Sequence, residues 1–151
     1  MEKRKKEKDI IQMIKHWSET FGLPVLTEEQ FPEVSRAKLA LDLIDEEFLE
    51  TAEAVGYKDF KGTKDGLGDL LWVTIRAMME FGINPHEVIS KIYESNMSKA
   101  DISEEDATIT YKKYLSQGIQ TYSKKVGDYF ITYRLSDNKV LKSHKFQEPD
   151  L

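Results

Sequence analysis

The stretch Leu39-Ala40-Leu41-Asp42-Leu43-Ile44-Asp45-Glu46-Glu47-Phe48-Leu49-Glu50-Thr51-Ala52-Glu53-Ala54-Val55 decides the fold. Its apolar residues recur at helical spacing, which predicts a helix from about Ser35 to Val55 that ends at Gly56. Placed at about 100° per residue, the positions divide into two opposed faces. One holds Leu41, Ile44, Phe48, Ala52 and Val55 and reads as a core stripe. The other holds Leu39, Leu43, Glu46, Glu47, Glu50 and Ala54, so three carboxylates continue an apolar line. Asp42, Asp45, Leu49 and Glu53 fall on the flank between the two.

Grouped carboxylates on a buried face must find cations or take up protons, because like charges and desolvation both disfavour the ionised form. The helix contains no His, and Lys38 sits just outside the acidic group. A divalent metal is the efficient solution. Mg²⁺ favours oxygen ligands, keeps several waters, and is held by carboxylates together with substrate phosphates. Mn²⁺ is its possible substitute. The spacings Glu47–Glu50 (i, i+3) and Glu46–Glu50 (i, i+4) aim these side chains at one place.

A second acidic helix follows. Gly62 and Thr63 precede an expected helix from about Lys64 to Phe81, terminated by Gly82. Asp65 and Asp69 share one of its faces, with Trp72, Val73 and Arg76 near it. Leu67, Leu70, Thr74, Met78 and Phe81 form a second core stripe opposite. Two adjoining helices of this kind place four or five carboxylates around one pocket. A di-iron bundle is discounted, because it calls for Glu-x-x-His on two helices, and His16, His86 and His144 stand in no such arrangement.

Around this pair, the first three-fifths of the chain reads as helical and the last fifth as strands. An opening helix is expected over Lys5 to Phe21, stopped by Gly22 and Pro24, and a loop over Pro24 to Val34. Asn84-Pro85-His86-Glu87 starts a fourth helix that runs to about Met97. Ser103-Glu104-Glu105-Asp106 opens a fifth that reaches about Ser116. Ile119 to Lys125, Tyr129 to Leu135 and Lys139 to Lys142, separated by Gly127-Asp128 and Asp137-Asn138, read as a small antiparallel β meander. Such a unit must pack on the helices, since two or three strands bury too little surface alone. The expected organisation is one mainly α domain over residues 1–151: a four- to five-helix bundle over 1–118 with the meander as an extension over 119–151.

Composition narrows the chemistry. Of 151 residues, 22 are Lys or Arg and 27 are Asp or Glu, for a net charge of −5. This balance argues against a nucleic-acid binder. The absence of cysteine removes disulfides, thiolate metal sites and cysteine nucleophiles. No run approaches the roughly 20 apolar residues of a membrane span. The basic start from Lys3 to Lys8 passes straight into charged residues, so it reads as a solvated helix end and not as a secretory leader. A cytoplasmic protein is expected.

Three ordered elements resemble the all-α NTP pyrophosphatases, a superfamily that includes the MazG-like enzymes, dimeric dUTPases and phosphoribosyl-ATP pyrophosphohydrolases. They are Asp45-Glu46-Glu47-Phe48-Leu49-Glu50, then Asp65-Gly66-Leu67-Gly68-Asp69-Leu70-Leu71-Trp72-Val73, then Tyr93-Glu94-Ser95-Asn96-Met97-Ser98-Lys99. The tail, Asp137 to Lys142 and Pro149-Asp150-Leu151, looks like the closing segment of the phosphoribosyl-ATP pyrophosphohydrolase-like branch. The resemblance spans nearly the whole chain, with its core motifs between Ser35 and Lys99.

What the resemblance implies is a Mg²⁺-dependent hydrolase that cleaves a nucleoside triphosphate to the monophosphate and pyrophosphate, in nucleotide-pool house-cleaning. It assigns metal binding to Glu47, Glu50, Asp65 and Asp69. It makes Glu46 the catalytic base or a ligand of a further ion, and it sets Asn96 and Lys99 on substrate phosphates. Many relatives would have Glu at the position of Gly66, and the pair Asp65/Asp69 takes its place here. Trp17 or Trp72 could stack on a base, and Arg76 could pair with Asp69 or reach a phosphate. Relatives are dimers or tetramers, so a homodimer or homotetramer is expected. The alternative is a helical interaction protein that kept the bundle and lost turnover.

Overall fold

A computed structural model describes residues 9–151, so the expectations for Lys3 to Lys8 and for the start of the first helix at Lys5 lie outside the described residues. Among these, five helices and one two-stranded antiparallel sheet make a mainly α protein, as expected. The elements are α1 (Ile10–Thr20), α2 (Val34–Gly56), α3 (Phe60–Glu80), α4 (Pro85–Met97), α5 (Glu104–Ser116), β1 (Thr121–Val126) and β2 (Tyr129–Arg134).

Side-chain caps set most of the starts. Asp9 accepts from the backbone N–H groups of Ile11 and Gln12 and opens α1. Ser103 does the same for α5 through Asp106 N–H. The third helix begins four residues earlier than its sequence suggests. Asp59 caps it by accepting from Lys61 and Gly62, so Gly62 and Thr63 lie in the first turn and not ahead of it. Only Tyr57, Lys58 and Asp59 then join α2 to α3, with Lys58 in the left-handed region at φ 56°.

The chain folds as two compact units that meet at residues 86 and 87. In the first, α2 and α3 pack along each other and α1 lies on α3. Ile14, Ile75 and Met79 form its buried core, flanked by Ile11, Val25 and Trp72. The segment after α1 is tied to the end of α3 by Leu26 N–H to Met79 C=O at 3.0 Å and Gln30 N–H to Phe81 C=O at 3.1 Å. Gly82 is required at that junction. Its φ is +69°, and a Cβ there would stand 1.9 Å from the carbonyl oxygen of Glu28.

The predicted core stripes need correction. Leu41, Phe48 and Val55 are 63%, 56% and 56% exposed, and of that stripe only Ile44 is even half-buried. On α3, Leu67 and Thr74 are exposed, while Leu70, Met78 and Phe81 are half-buried. What α2 buries is Ala40 and Thr51, with Ala37, Leu43, Glu47 and Ala54 beside them. What α3 buries is Gly66, Ile75, Met79 and Glu80. Small residues on the inward faces let the two backbones come close, and that contact outweighs the larger side chains left on the opposite face.

In the second unit, β1 and β2 pair with Tyr122 opposite Tyr133 and Val126 opposite Tyr129, and the hairpin packs on α5. The Gly127-Asp128 turn is as expected, with Gly127 at φ +59°. The third expected strand is reduced to one bridge, Tyr133 to Val140. Beyond Leu141 the chain is drawn off the sheet: Ser143 Oγ donates to Asp101 Oδ1, and His144 N–H donates to Thr110 Oγ1 at 3.0 Å. His144 Nε2 and Lys145 Nζ each lie 2.9 Å from the carboxylate of Asp106. These bonds fasten the tail to α5 and to the segment before it, in place of a ladder.

Candidate active site

Glu47 is the centre of the acidic group. It projects from α2 on the side that meets α3 and is half-buried, whereas Glu46, Glu50, Asp65 and Asp69 are exposed around it. Partial burial holds the Glu47 carboxyl above its ordinary value. The negative charges of Asp69, Glu50, Glu46 and Asp65 push it further the same way. Two helices therefore do bring all five predicted carboxylates into one electrostatic neighbourhood. The sequence reading overstated their sequestration: one is partly withdrawn from water and four stand at the surface.

No Lys, Arg or His among the described residues pairs with any of the five. Lys38, just ahead of the acidic group on α2, is bound to Asp42 one turn along that helix. Arg76 is engaged elsewhere, on Glu80. As placed, no three of the described His, Asp and Glu side chains enclose a volume suited to an ion. An all-oxygen, uncompensated set suits a hard divalent ion and no softer metal.

Asn96 and Lys99 belong to the second unit and meet each other. Lys99 Nζ donates to Asn96 Oδ1 at 2.6 Å, Asn96 is exposed, and Lys99 is half-buried just past the end of α4. With its carbonyl oxygen accepting from Lys99, the Asn96 amide NH₂ remains a donor.

Two features were not legible beforehand. One is a buried ion cluster in which Glu80, 1% exposed, takes Arg36 Nη2 at 2.6 Å and also Arg76. The Arg76 guanidinium also lies 5.8 Å from the ring centre of Trp17, and Trp17 meets Trp72 edge-on at 5.6 Å. These aromatic groups thus pack on one another and on an arginine. The other feature is the contact of Gly66 with Thr51. The only prior signal was the missing side chain at position 66.

Fold and site together define a class: mainly α proteins that gather acidic side chains where two helices adjoin. Within it, the model of the phosphoribosyl-ATP pyrophosphohydrolase family matches residues 14–96, more than half of the chain, and the chain belongs to that family. Membership makes it a pyrophosphohydrolase, a hydrolase acting on phosphoric anhydrides, and fits the all-α NTP pyrophosphatase superfamily. The match takes in all of α2 and α3, hence all five carboxylates, and ends at Asn96. A comparison with curated proteins finds no match.

Proposed function

We propose that the protein is a Mg²⁺-dependent pyrophosphohydrolase that cleaves the α–β phosphoanhydride of a nucleoside triphosphate, releasing the monophosphate and pyrophosphate. The observation that carries this reading is the uncompensated set of five carboxylates around half-buried Glu47. In a family of phosphoanhydride hydrolases, that set is what a divalent cation and its phosphate cargo would complete.

Glu47, Glu50, Asp65 and Asp69 would hold Mg²⁺, and Mn²⁺ would substitute for it. A bound Mg²⁺ neutralises phosphate charge and lowers the pKa of bound water. Glu46, exposed at the edge of the set, accepts the proton of the attacking water as its oxygen bonds to phosphorus and the bridging P–O bond breaks. Lys99 and Asn96, hydrogen-bonded to each other in the second unit, are the groups we propose for phosphate oxygens, the first as a positive charge and the second as an amide donor. Nucleotide-pool house-cleaning in the cytoplasm is the role this activity serves. No helix among the described residues is long and apolar enough to cross a membrane.

A homodimer is the assembly we infer, with a homotetramer built from it. Leu41, Phe48, Leu49 and Val55 on α2 and Leu67 and Leu71 on α3 are exposed, each to 48% or more. A second copy is the natural cover for an apolar surface of this extent.

The deciding experiment is hydrolysis of a nucleotide panel in which release of pyrophosphate is measured with Mg²⁺, with Mn²⁺ and with chelator. The panel covers canonical, deoxy and modified triphosphates, together with phosphoribosyl-ATP, the substrate in the family's description. Metal-dependent pyrophosphate release from a triphosphate supports the proposal. Activity on phosphoribosyl-ATP alone would reassign the substrate. No activity on any compound, with no Mg²⁺ binding in calorimetry, would mean a helical interaction protein that has lost turnover.

A further inference from the structure

The acidic residues of α2 and α3 lie beside a close approach of the two helices, where Gly66 faces Thr51. A Cβ built on Gly66 would stand 2.3 Å from Thr51 Oγ1, 3.2 Å from Thr51 Cβ and 3.1 Å from Thr51 Cα. The first distance is impossible, and the last involves backbone, so a side chain at 66 must push the helices apart. Both residues are buried. Thr51 cannot swing away freely, because its hydroxyl donates to Glu47 C=O at 2.7 Å. Gly68, two residues on in the same helix, has nothing within 4 Å of its would-be Cβ. Gly62, one turn earlier, is crowded as well, with a would-be Cβ 2.6 Å from Asp59 Oδ2 and 3.2 Å from Ala54 Cβ, while at 66 the contact reaches the α2 backbone at Thr51 Cα.

The position of this contact gives it a role. Thr51 follows Glu50 and lies one turn after Glu47, while Gly66 follows Asp65 and lies three residues before Asp69. The helix-to-helix separation at 51 and 66 sets how far the carboxylates of α2 stand from those of α3.

We propose that Gly66 is a positioning residue for the cation site: its missing side chain lets α3 seat against Thr51 and brings Asp65 and Asp69 within shared reach of Glu47 and Glu50. It follows that position 66 carries no ligand in this chain, since a carboxylate there would be directed into α2. The inference rests on the metal-dependent reading above.

The test is Mg²⁺ binding by calorimetry on the full chain, alongside pyrophosphate release and thermal unfolding in chelator. Gly66→Ala is expected to weaken Mg²⁺ affinity at least tenfold. Returning the space on the other side, with Thr51→Gly and Gly66→Ala together, is expected to recover affinity to within about threefold of the parent. Gly68→Ala should raise the unfolding temperature and leave affinity unchanged. Ile14→Ala destabilises the same unit from its core, away from the acids, and should also leave affinity unchanged, which separates positioning from general loss of stability. A folded Gly66→Ala protein with parental affinity and turnover would overturn the inference and leave the functional reading intact. If Gly66→Ala does not fold, the double variant decides: restored Mg²⁺ binding supports the inference, and a folded protein without it overturns it. A parent protein that binds no Mg²⁺ would sink the functional reading, and this inference with it.

Discussion

Arg76 is bound to Glu80, one turn further along α3, and not to Asp69, two turns back. That choice leaves Glu47 and the four carboxylates around it without a partner among the described Lys, Arg and His residues. Arg36 reaches the same Glu80 from the first turn of α2, so one carboxylate serves two guanidinium groups. The helix pair is thus pinned by opposite charge at one end and separated like charges at the other.

Glu80 should accordingly be a stability residue. Glu80→Ala would strand Arg76, whose side chain is 11% exposed, and Arg36, which is 31% exposed. Loss of one partner from a buried ion pair costs roughly 3–5 kcal/mol. We expect the lower part of that range, about 3 kcal/mol, because Arg36 keeps access to water. Urea unfolding of parent and variant measures it, and a loss below 1 kcal/mol would show that the cluster is not holding the unit together.

Glu47 should behave in the opposite way. Its neighbours and its partial burial disfavour the charge it carries, so the ionised side chain works against folding in the absence of metal. Glu47→Gln is expected to raise the unfolding temperature in chelator, to lose the stabilisation conferred by Mg²⁺, and to lower kcat/KM at least about a hundredfold. Glu50→Gln should share the kinetic loss. Near-parental rates from both would show that the site lies elsewhere.

The second unit carries an acid-sensitive tie. Lys145 and His144 bond the Asp106 carboxylate and hold it down to about 2, below the ordinary 3.8. A depressed folded-state value means that the stabilisation is fully present above about pH 4 and fades as pH falls towards 2. The gap in unfolding temperature between the parent and Asp106→Asn should be widest above pH 4 and shrink towards pH 2. A gap constant across that range would mean that the charge of Asp106 does not matter to the fold.

The exposed stripe of α2 provides a check on assembly. Phe48→Glu places a charge among Leu41, Leu49 and Val55 and should weaken self-association at least tenfold, read as mass against concentration by light scattering. A parent protein that stays monomeric at the highest concentrations would remove the inferred dimer.

Helix identity was largely written in local residues. Asn84 and Ser103 cap where their spacing suggested, because a cap needs only neighbours two or three residues away. The start of α3 was misjudged for the same kind of reason: Asp59 caps just as well, and Gly62 inside the first turn resembled a break. The third strand was misjudged because its fate depends on Asp101 and Thr110, more than thirty residues away.

By itself, the sequence determined that Glu46, Glu47 and Glu50 share one side of a helix and that Asp65 and Asp69 share one side of the next. A fixed rotation of about 100° per residue leaves no other outcome once the helices form. Only the tertiary structure decided which sides face each other. Hydrophobicity favoured Leu41, Phe48 and Val55 as the inward face, yet Ala40, Thr51 and Gly66 won it, because small side chains permit a closer and longer contact between backbones. Residues 44 positions apart in the chain, Arg36 and Glu80, then lock that choice in place.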